Sequence, residues 1–132
     1  MPEKFLRGRR VLIVENDYFM ADDMRAGFDH EGAEVVGPFA RVSDALDIVA
    51  TGEPLDGAVL DINLAGETDY QVADALSRRG VPFIFVTGYD AEVIPEAYAK
   101  VMRCEKPIEP AKVGKLLFNS VMRTARQEDP SS

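Results

Sequence analysis

A doubly wound, mostly parallel α/β sheet with right-handed crossovers is the fold this sequence predicts, and three observations predict it. Short unbroken apolar runs recur along the chain, stretches of helical period separate them, and glycines stand at the seams. Continuous apolar runs suit strands covered on both faces, as in a parallel sheet.

The first run is VLIV at 11–14, followed by Met20, Met24 and Phe28 at i, i+4, i+8. The second is Val35 and Val36, followed by Val42, Ala45, Leu46 and Val49 at i, i+3, i+4, i+7. The third is AVL at 58–60, and Val72, Ala75 and Leu76 repeat the helical pattern. The fourth is FIFV at 83–86, with Ile94, Ala97, Tyr98 and Val101 after it. A weaker fifth run at 101–104 contains Arg103 and reads as an edge strand; Val113, Leu116, Leu117 and Val121 close the series. Each helical set lays an apolar stripe on one face, so the Met residues are core residues first. Gly32, Gly52, Gly57 and Gly80 fall where a helix stop is wanted. Pro95 belongs at a first helical turn, which makes the fourth helix short, with 90–94 as an irregular lead-in. No repeat and no linker to a second domain is visible, and RQEDPSS at the end reads as a frayed tail.

Composition excludes several functions. A chain of 132 residues is most simply one domain, able to bury roughly two thirds of its unfolded surface. Its net charge is −8 and no Lys/Arg run interrupts it, which argues against direct nucleic-acid binding and against an anionic membrane surface. The one cysteine, Cys104, cannot pair internally and is expected to be a buried small hydrophobe. The N-terminus MPEKFLRGRR lacks the apolar stretch of a signal peptide, and no run reaches transmembrane length. These features predict a soluble cytoplasmic protein. His30 is expected at a helix end in water.

Ligands of doubly wound sheets bind outside the carboxyl ends of the strands, so the residues just past each apolar run matter most. After VLIV come Glu15, Asn16 and Asp17; after AVL come Asp61 and then Asn63; after FIFV come Thr87 and Gly88; after the fifth run come Lys106 and Pro107. The second run ends in Gly37 and Pro38, with no ionisable group. Clustered carboxylates repel one another, and a hard divalent cation relieves that repulsion; Mg²⁺ is commonly held by one or two carboxylates, with water and phosphate oxygens filling its octahedron. A carboxylate beside the metal can act as a nucleophile toward phosphorus. A lysine ammonium and a hydroxyl would neutralise and hydrogen-bond the phosphoryl oxygens. Gly88 beside Thr87 leaves room for the incoming group.

VLIVEND, LDINL, VTG and EKP, in this order and at these strand ends, resemble a response-regulator receiver domain of the stand-alone, chemotaxis-regulator-like type, over about 10–123. The resemblance implies a flavodoxin-like sheet of five parallel strands in the order 2-1-3-4-5 with helices on both faces. It divides the chain into an extension at 1–9, the receiver at 10–124 and a flexible tail at 125–132. It implies a two-component switch: a histidine kinase or histidine phosphotransfer protein donates a phosphoryl group to Asp61, and the surface presented to an unknown target protein changes. Mg²⁺ would be held by Glu15, Asn16, Asp61 and the backbone carbonyl of Asn63, with Asp17 a further candidate. Thr87 matches the switch hydroxyl and Lys106 the phosphate-binding lysine, with a cis peptide expected between Lys106 and Pro107. The chemistry would be weak self-phosphorylation and autodephosphorylation, which is signalling and not metabolism. LDINLAGE and TGYDAEVIPEAY are also similar to stand-alone receivers with a shortened fourth helix, and the absence of an output domain after residue 132 predicts action by contact with another molecule.

Two positions depart from the family pattern. Asn16 stands where Asp is usual; its amide brings no charge, so weaker Mg²⁺ binding is expected unless Asp17 compensates. Arg103 stands where Tyr or Phe is usual, and a guanidinium cannot bury itself as a ring does, so the signal would leave by a different surface or through an altered swing of this side chain. Plainer readings stand beside these: Glu15 and Asp17 as helix caps, Asp61 as a loop residue, Lys106 as a solvated charge. The departures also motivate a degenerate receiver that binds a partner without being phosphorylated. An aspartate-nucleophile phosphohydrolase would want a second carboxylate at Asn63. A mononucleotide (flavin) carrier would want a Gly- or hydroxyl-rich loop where ENDYF stands.

Overall fold

The structure is a computed structural model that describes residues 5–61, 70–87, 101, 103–105 and 108–118. Its strands are β1 (Arg10–Val14), β2 (Glu34–Phe39), β3 (Gly57–Asp61), β4 (Phe83–Thr87) and β5 (Arg103–Glu105). The helices among the described residues are α1 (Tyr18–His30), α2 (Val42–Ala50), α3 (Tyr70–Arg78) and α4 (Pro110–Phe118). The strands form one parallel sheet in the order β2-β1-β3-β4-β5, the flavodoxin-like doubly wound arrangement. The fourth expected helix lies outside the described residues apart from Val101, which is a bend ahead of β5.

Why the runs became strands is visible in their burial. Residues 11–14 of β1 and all of β3 are buried, because helices cover both faces of the sheet. Leu12, Val14, Ala58, Leu60 and Phe85 point into the layer filled by α2 and α3. Val11, Ile13, Val59, Ile84 and Val86 point the other way, toward α1 and α4. Period-two alternation thus sorts one apolar run into two cores. The helical stripes meet these layers as expected: Met24 and Phe28 on α1, Val42, Ala45 and Val49 on α2, Val72 and Leu76 on α3, Val113 and Leu117 on α4 are all buried. On α3, Ala73 is fully buried while Ala75 is only partly so, which turns the buried stripe slightly from the expected one.

Glycine does three different jobs. Gly32, Gly52 and Gly80 end α1, α2 and α3 with positive φ, as a helix stop requires. Gly57 does not: it is the first residue of β3, and a Cβ there would stand 2.8 Å from the Phe118 ring. The ring from α4 packs against bare backbone, a tertiary contact that local punctuation mistakes for a stop. Gly37, at φ +104, serves the edge strand. Between the pairs Leu12↔Val36 and Val14↔Phe39, β1 has one residue and β2 has two, so β2 bulges at Gly37 and Pro38. A bulge in an edge strand is where a proline lacking its N–H is tolerated, and the Gly37–Pro38 peptide is cis.

The chain ahead of β1 is part of this packing. Leu6 is 1% exposed and joins the α1/α4 core, Gly8 N–H donates to Gly32 O at 2.8 Å, and the Arg9 guanidinium lies 4.7 Å from the Phe118 ring centroid. At the amino ends of the strands, Arg10 pairs with Glu34 and, at 3.1 Å, with Glu53, and its Nε donates to Pro54 O at 2.6 Å. Arg79 donates to Val49 O at 3.1 Å and Glu53 O at 2.5 Å, closing the exposed end of α2. Exposed ion pairs of this kind each contribute about 0–1 kcal/mol, so they shape the loop more than they stabilise the domain.

This packing can be tested at two residues. Gly27 sits within α1, where alanine would ordinarily gain about 1 kcal/mol. Here a Cβ would stand 2.6 Å from Pro110 Cγ, on a ring that cannot turn away. We expect Gly27→Ala to lower stability by about 1–3 kcal/mol, read as a lower urea midpoint; an unchanged or higher midpoint would mean that α1 and α4 are not in contact there. Cys104 is buried and unbridged, and burial pushes its thiol above the ordinary value, with Lys112 opposing weakly. The raised value favours the neutral thiol in the folded state. Its contribution to stability is therefore full below about pH 8.5 and is lost as pH rises through the folded value. Alkylation of the native chain should be far slower than of the urea-unfolded chain, and Cys104→Ala should lose less stability above that pH than the wild type.

Candidate functional site

The strand order reverses between β1 and β3, where the crevice of a doubly wound sheet opens at the carboxyl ends. Val14 and Leu60 are register partners, so Glu15 and Asp61 are the next residues along two hydrogen-bonded neighbours. Continuing the alternation, they follow Ile13 and Val59 onto the α1/α4 side. Both are buried, Glu15 to 1% exposure and Asp61 to 4%, and they are the buried acidic side chains among the described residues.

The segment after β1 is tied down at several points. Glu15 N–H donates to Phe39 O at 2.9 Å, carrying the β1–β2 ladder one step past the bulge. Glu15 Oε2 accepts from Asp17 N–H at 3.0 Å. Asp17, with φ −81 and ψ 118, is the N-cap of α1, and its Oδ1 accepts from Met20 N–H at 3.0 Å. The cap reading of Asp17 is thus seen in the structure. Asn16 lies between them in the chain and is half-buried.

Asp61 and Thr87 close β3 and β4, and Asp61 is the register partner of Val86. Asp61 ends a buried strand and is not a loop residue. Arg103 is exposed on β5, as a guanidinium requires, and His30 is exposed at the last turn of α1. Asn63, Gly88, Lys106 and Pro107 lie outside the described residues, as does the peptide expected to be cis between the last two.

The donor set can be tested against Mg²⁺ by its chemistry. Among the described residues no three His, Cys, Asp or Glu side chains gather into a metal-holding group. The strand ends instead bring together two buried carboxylates, with the Asn16 amide next to one of them in the chain. That number of hard oxygen donors suits Mg²⁺, which keeps several waters and takes phosphate oxygens as further ligands. The residues fit the ion.

Two features escape a reading of the sequence alone. The carbonyl of Phe39 fixes the main chain at Glu15, and only the bulge at Gly37 brings it there. Tyr18 and Phe19 are 71% and 81% exposed, with ring centroids 5.6 Å apart. A signal for them exists: both lie just off the Met20, Met24, Phe28 stripe, which leaves them no core to enter.

Known proteins resemble this chain in sequence and in fold. The profile of the response regulator receiver domain matches residues 11–115. A curated relative, the uncharacterized transcriptional regulatory protein YbdJ of Bacillus subtilis (strain 168), is 29% identical over 84 residues, which is 62% of this chain; the chain spans 36% of that relative's length. The solution structure of SdrG from Sphingomonas melonis Fr1 is 31% identical, covers 82% of this chain and 92% of that one, and superposes with a TM-score of 0.72. The BeF3-activated conformation of SdrG from Pseudomonas melonis Fr1 is 30% identical, covers 86% and 95% of the two chains, and has a TM-score of 0.68. A response regulator receiver protein from Sinorhizobium medicae WSM419, 19% identical over 92% of this chain and 98% of its own with a TM-score of 0.70, bears on the fold alone. No helix among the described residues is long and apolar enough to cross a membrane. Parallel strands in the 2-1-3-4-5 order, buried carboxylates where that order reverses, and a profile spanning most of the sequence lead to one assignment: the chain belongs to the response regulator receiver domain family, whose setting is two-component signalling.

Proposed function

We propose that Asp61 accepts a phosphoryl group from a histidine kinase or a histidine phosphotransfer protein, and that the domain then offers an altered surface to a downstream protein. One observation carries this reading: Glu15 and Asp61, buried to 1% and 4%, stand side by side at the carboxyl ends of the two central strands. A carboxylate oxygen of Asp61 attacks phosphorus, the P–N bond of the donor phosphohistidine breaks, and the imidazole leaves with the bonding pair and takes up a proton. Glu15, Asn16 and Asp61, with the Asn63 carbonyl, would hold Mg²⁺, which supplies charge neutralisation of the phosphoryl oxygens when bound. Lys106 and Thr87 would take the remaining oxygens, the lysine as a point charge and the threonine as a donor.

Electrostatics drives the switch. Phosphorylation replaces one carboxylate charge with a group of about −1.5 to −2 and three acceptor oxygens. Donors close to the site reorient toward them, and a two-state surface is biased. Slow hydrolysis of the acyl phosphate, aided by the same residues, resets the domain. The exposed Tyr18–Phe19 pair next to Asp17 offers apolar area where a protein donor must approach. Action in the cytoplasm accords with a single, buried, unbridged cysteine. Asn16, an uncharged donor, is the observation that favours a second reading, a receiver that engages its partner without phosphorylation.

Intact mass after incubation with a small phosphodonor and Mg²⁺ separates the two. The expected result is one base-labile phosphoryl adduct in the wild type, absent without Mg²⁺ and absent in Asp61→Asn. No adduct across several donors at saturating Mg²⁺ would favour the phosphorylation-independent module. Asn16→Asp restores a charge to the donor set, so Mg²⁺ affinity should rise by about tenfold or more, measured by calorimetric titration. Unchanged affinity would take Asn16 out of the metal site.

A further inference from the structure

We infer that Asp17 is a positioning residue for Glu15, holding the Glu15 carboxylate through its own backbone N–H, and that it does not itself ligate Mg²⁺. The inference rests on the proposed role of Glu15 as a metal ligand. Three linked hydrogen bonds support it. Met20 N–H donates to Asp17 Oδ1 at 3.0 Å, Ala21 N–H donates to Asp17 O at 2.8 Å, and Asp17 N–H donates to Glu15 Oε2 at 3.0 Å. The first two fix the peptide planes of Asp17 at the start of α1. The third then points inward at a side chain that is 1% exposed, while Asp17 itself is exposed.

The division of labour has a physical reason. The carboxylate of an N-cap satisfies an otherwise orphaned helix N–H and sits in the favourable field of the helix start. Turning Asp17 toward a metal would forfeit both, and its exposed charge would be screened by solvent. Glu15 is on a longer side chain, and its orientation needs an external restraint. The Phe39 carbonyl holds its main chain, and the Asp17 amide holds its carboxylate. Removing a group that orients a metal ligand in this way typically weakens metal affinity by about 10–100-fold.

What the cap requires is an oxygen acceptor on a short side chain, not a charge. Asp17→Asn and Asp17→Ser keep such an acceptor and lose the charge; Asp17→Ala loses both. Mg²⁺ alone would be titrated into the full chain of each variant, followed by calorimetry and by the amide shift of residue 17, with melting midpoints taken in parallel. The inference predicts that Asn and Ser bind Mg²⁺ within about threefold of the wild type, while Ala binds about tenfold more weakly with a displaced residue-17 amide signal. Should Asp17→Ala not fold, equal binding by the Asn and Ser variants still decides between acceptor and charge. An Asn variant much weaker than the wild type would make the charge, and so direct ligation, the operative property and overturn the inference. Wild-type binding with every variant unchanged would overturn it while leaving Glu15 as a ligand. No Mg²⁺ binding by the wild type would overturn the metal reading of the site and this inference with it.

Discussion

Everything in this domain depends on the central strands being dry on both faces. Residues 11–14 of β1 and the whole of β3 are buried, packed by α2 and α3 on one side and by α1 and α4 on the other. Such strands can carry no polar side chain along their length without an uncompensated desolvation cost. Chemistry is therefore confined to their ends. Asp61 is the last residue of β3, Glu15 the first after β1, and both stay buried where the covering layers still shield the sheet. The same packing that holds the fold together keeps these two carboxylates from water, and electrostatic interactions are stronger in such surroundings.

The loop after β1 shows how a site is built from secondary-structure devices. A bulge at Gly37 lengthens β2 by one residue, which carries Phe39 O to Glu15 N–H. A helix cap at Asp17 fixes the next turn, and its N–H reaches back to the Glu15 carboxylate. Neither device is catalytic, yet together they leave Glu15 little freedom. The opposite end of the sheet uses exposed charges instead, with Arg10 and Arg79 drawing in the 51–56 loop. Solvated arginines suit an end that only has to be closed.

The α1/α4 core is fastened by close approaches that depend on missing side chains. Gly27 admits Pro110, Gly57 admits Phe118 and Gly114 admits Leu6; in each case a Cβ would stand 2.8 Å or less from the neighbour. All three bring α4 against something: α1, the start of β3, or the chain ahead of β1. Leu6 gives the segment before β1 a place in the core.

By itself the sequence determined the parallel sheet and the polar residues at the carboxyl ends of β1, β3 and β4; it stopped β2 at Gly37 and Pro38, which the structure carries on to Phe39. Those come from local rules: apolar runs that bury on two faces, stripes of helical period, and polar residues that no dry strand can hold. Asp61 and Glu15 were legible for that reason, and so was the family, whose motifs are the strand ends themselves. Tertiary structure alone decided which of two available roles a residue takes. Gly57 could stop a helix or start a strand, and the Phe118 ring, from a distant helix, made it a strand residue. Leu6 belongs to an extension by sequence, and α4 gives it a glycine-lined hollow to fill. The physical reason is the same in each case: a residue's type fixes what it can bond or bury, but the partner comes from a distant part of the chain and is specified only when the layers close.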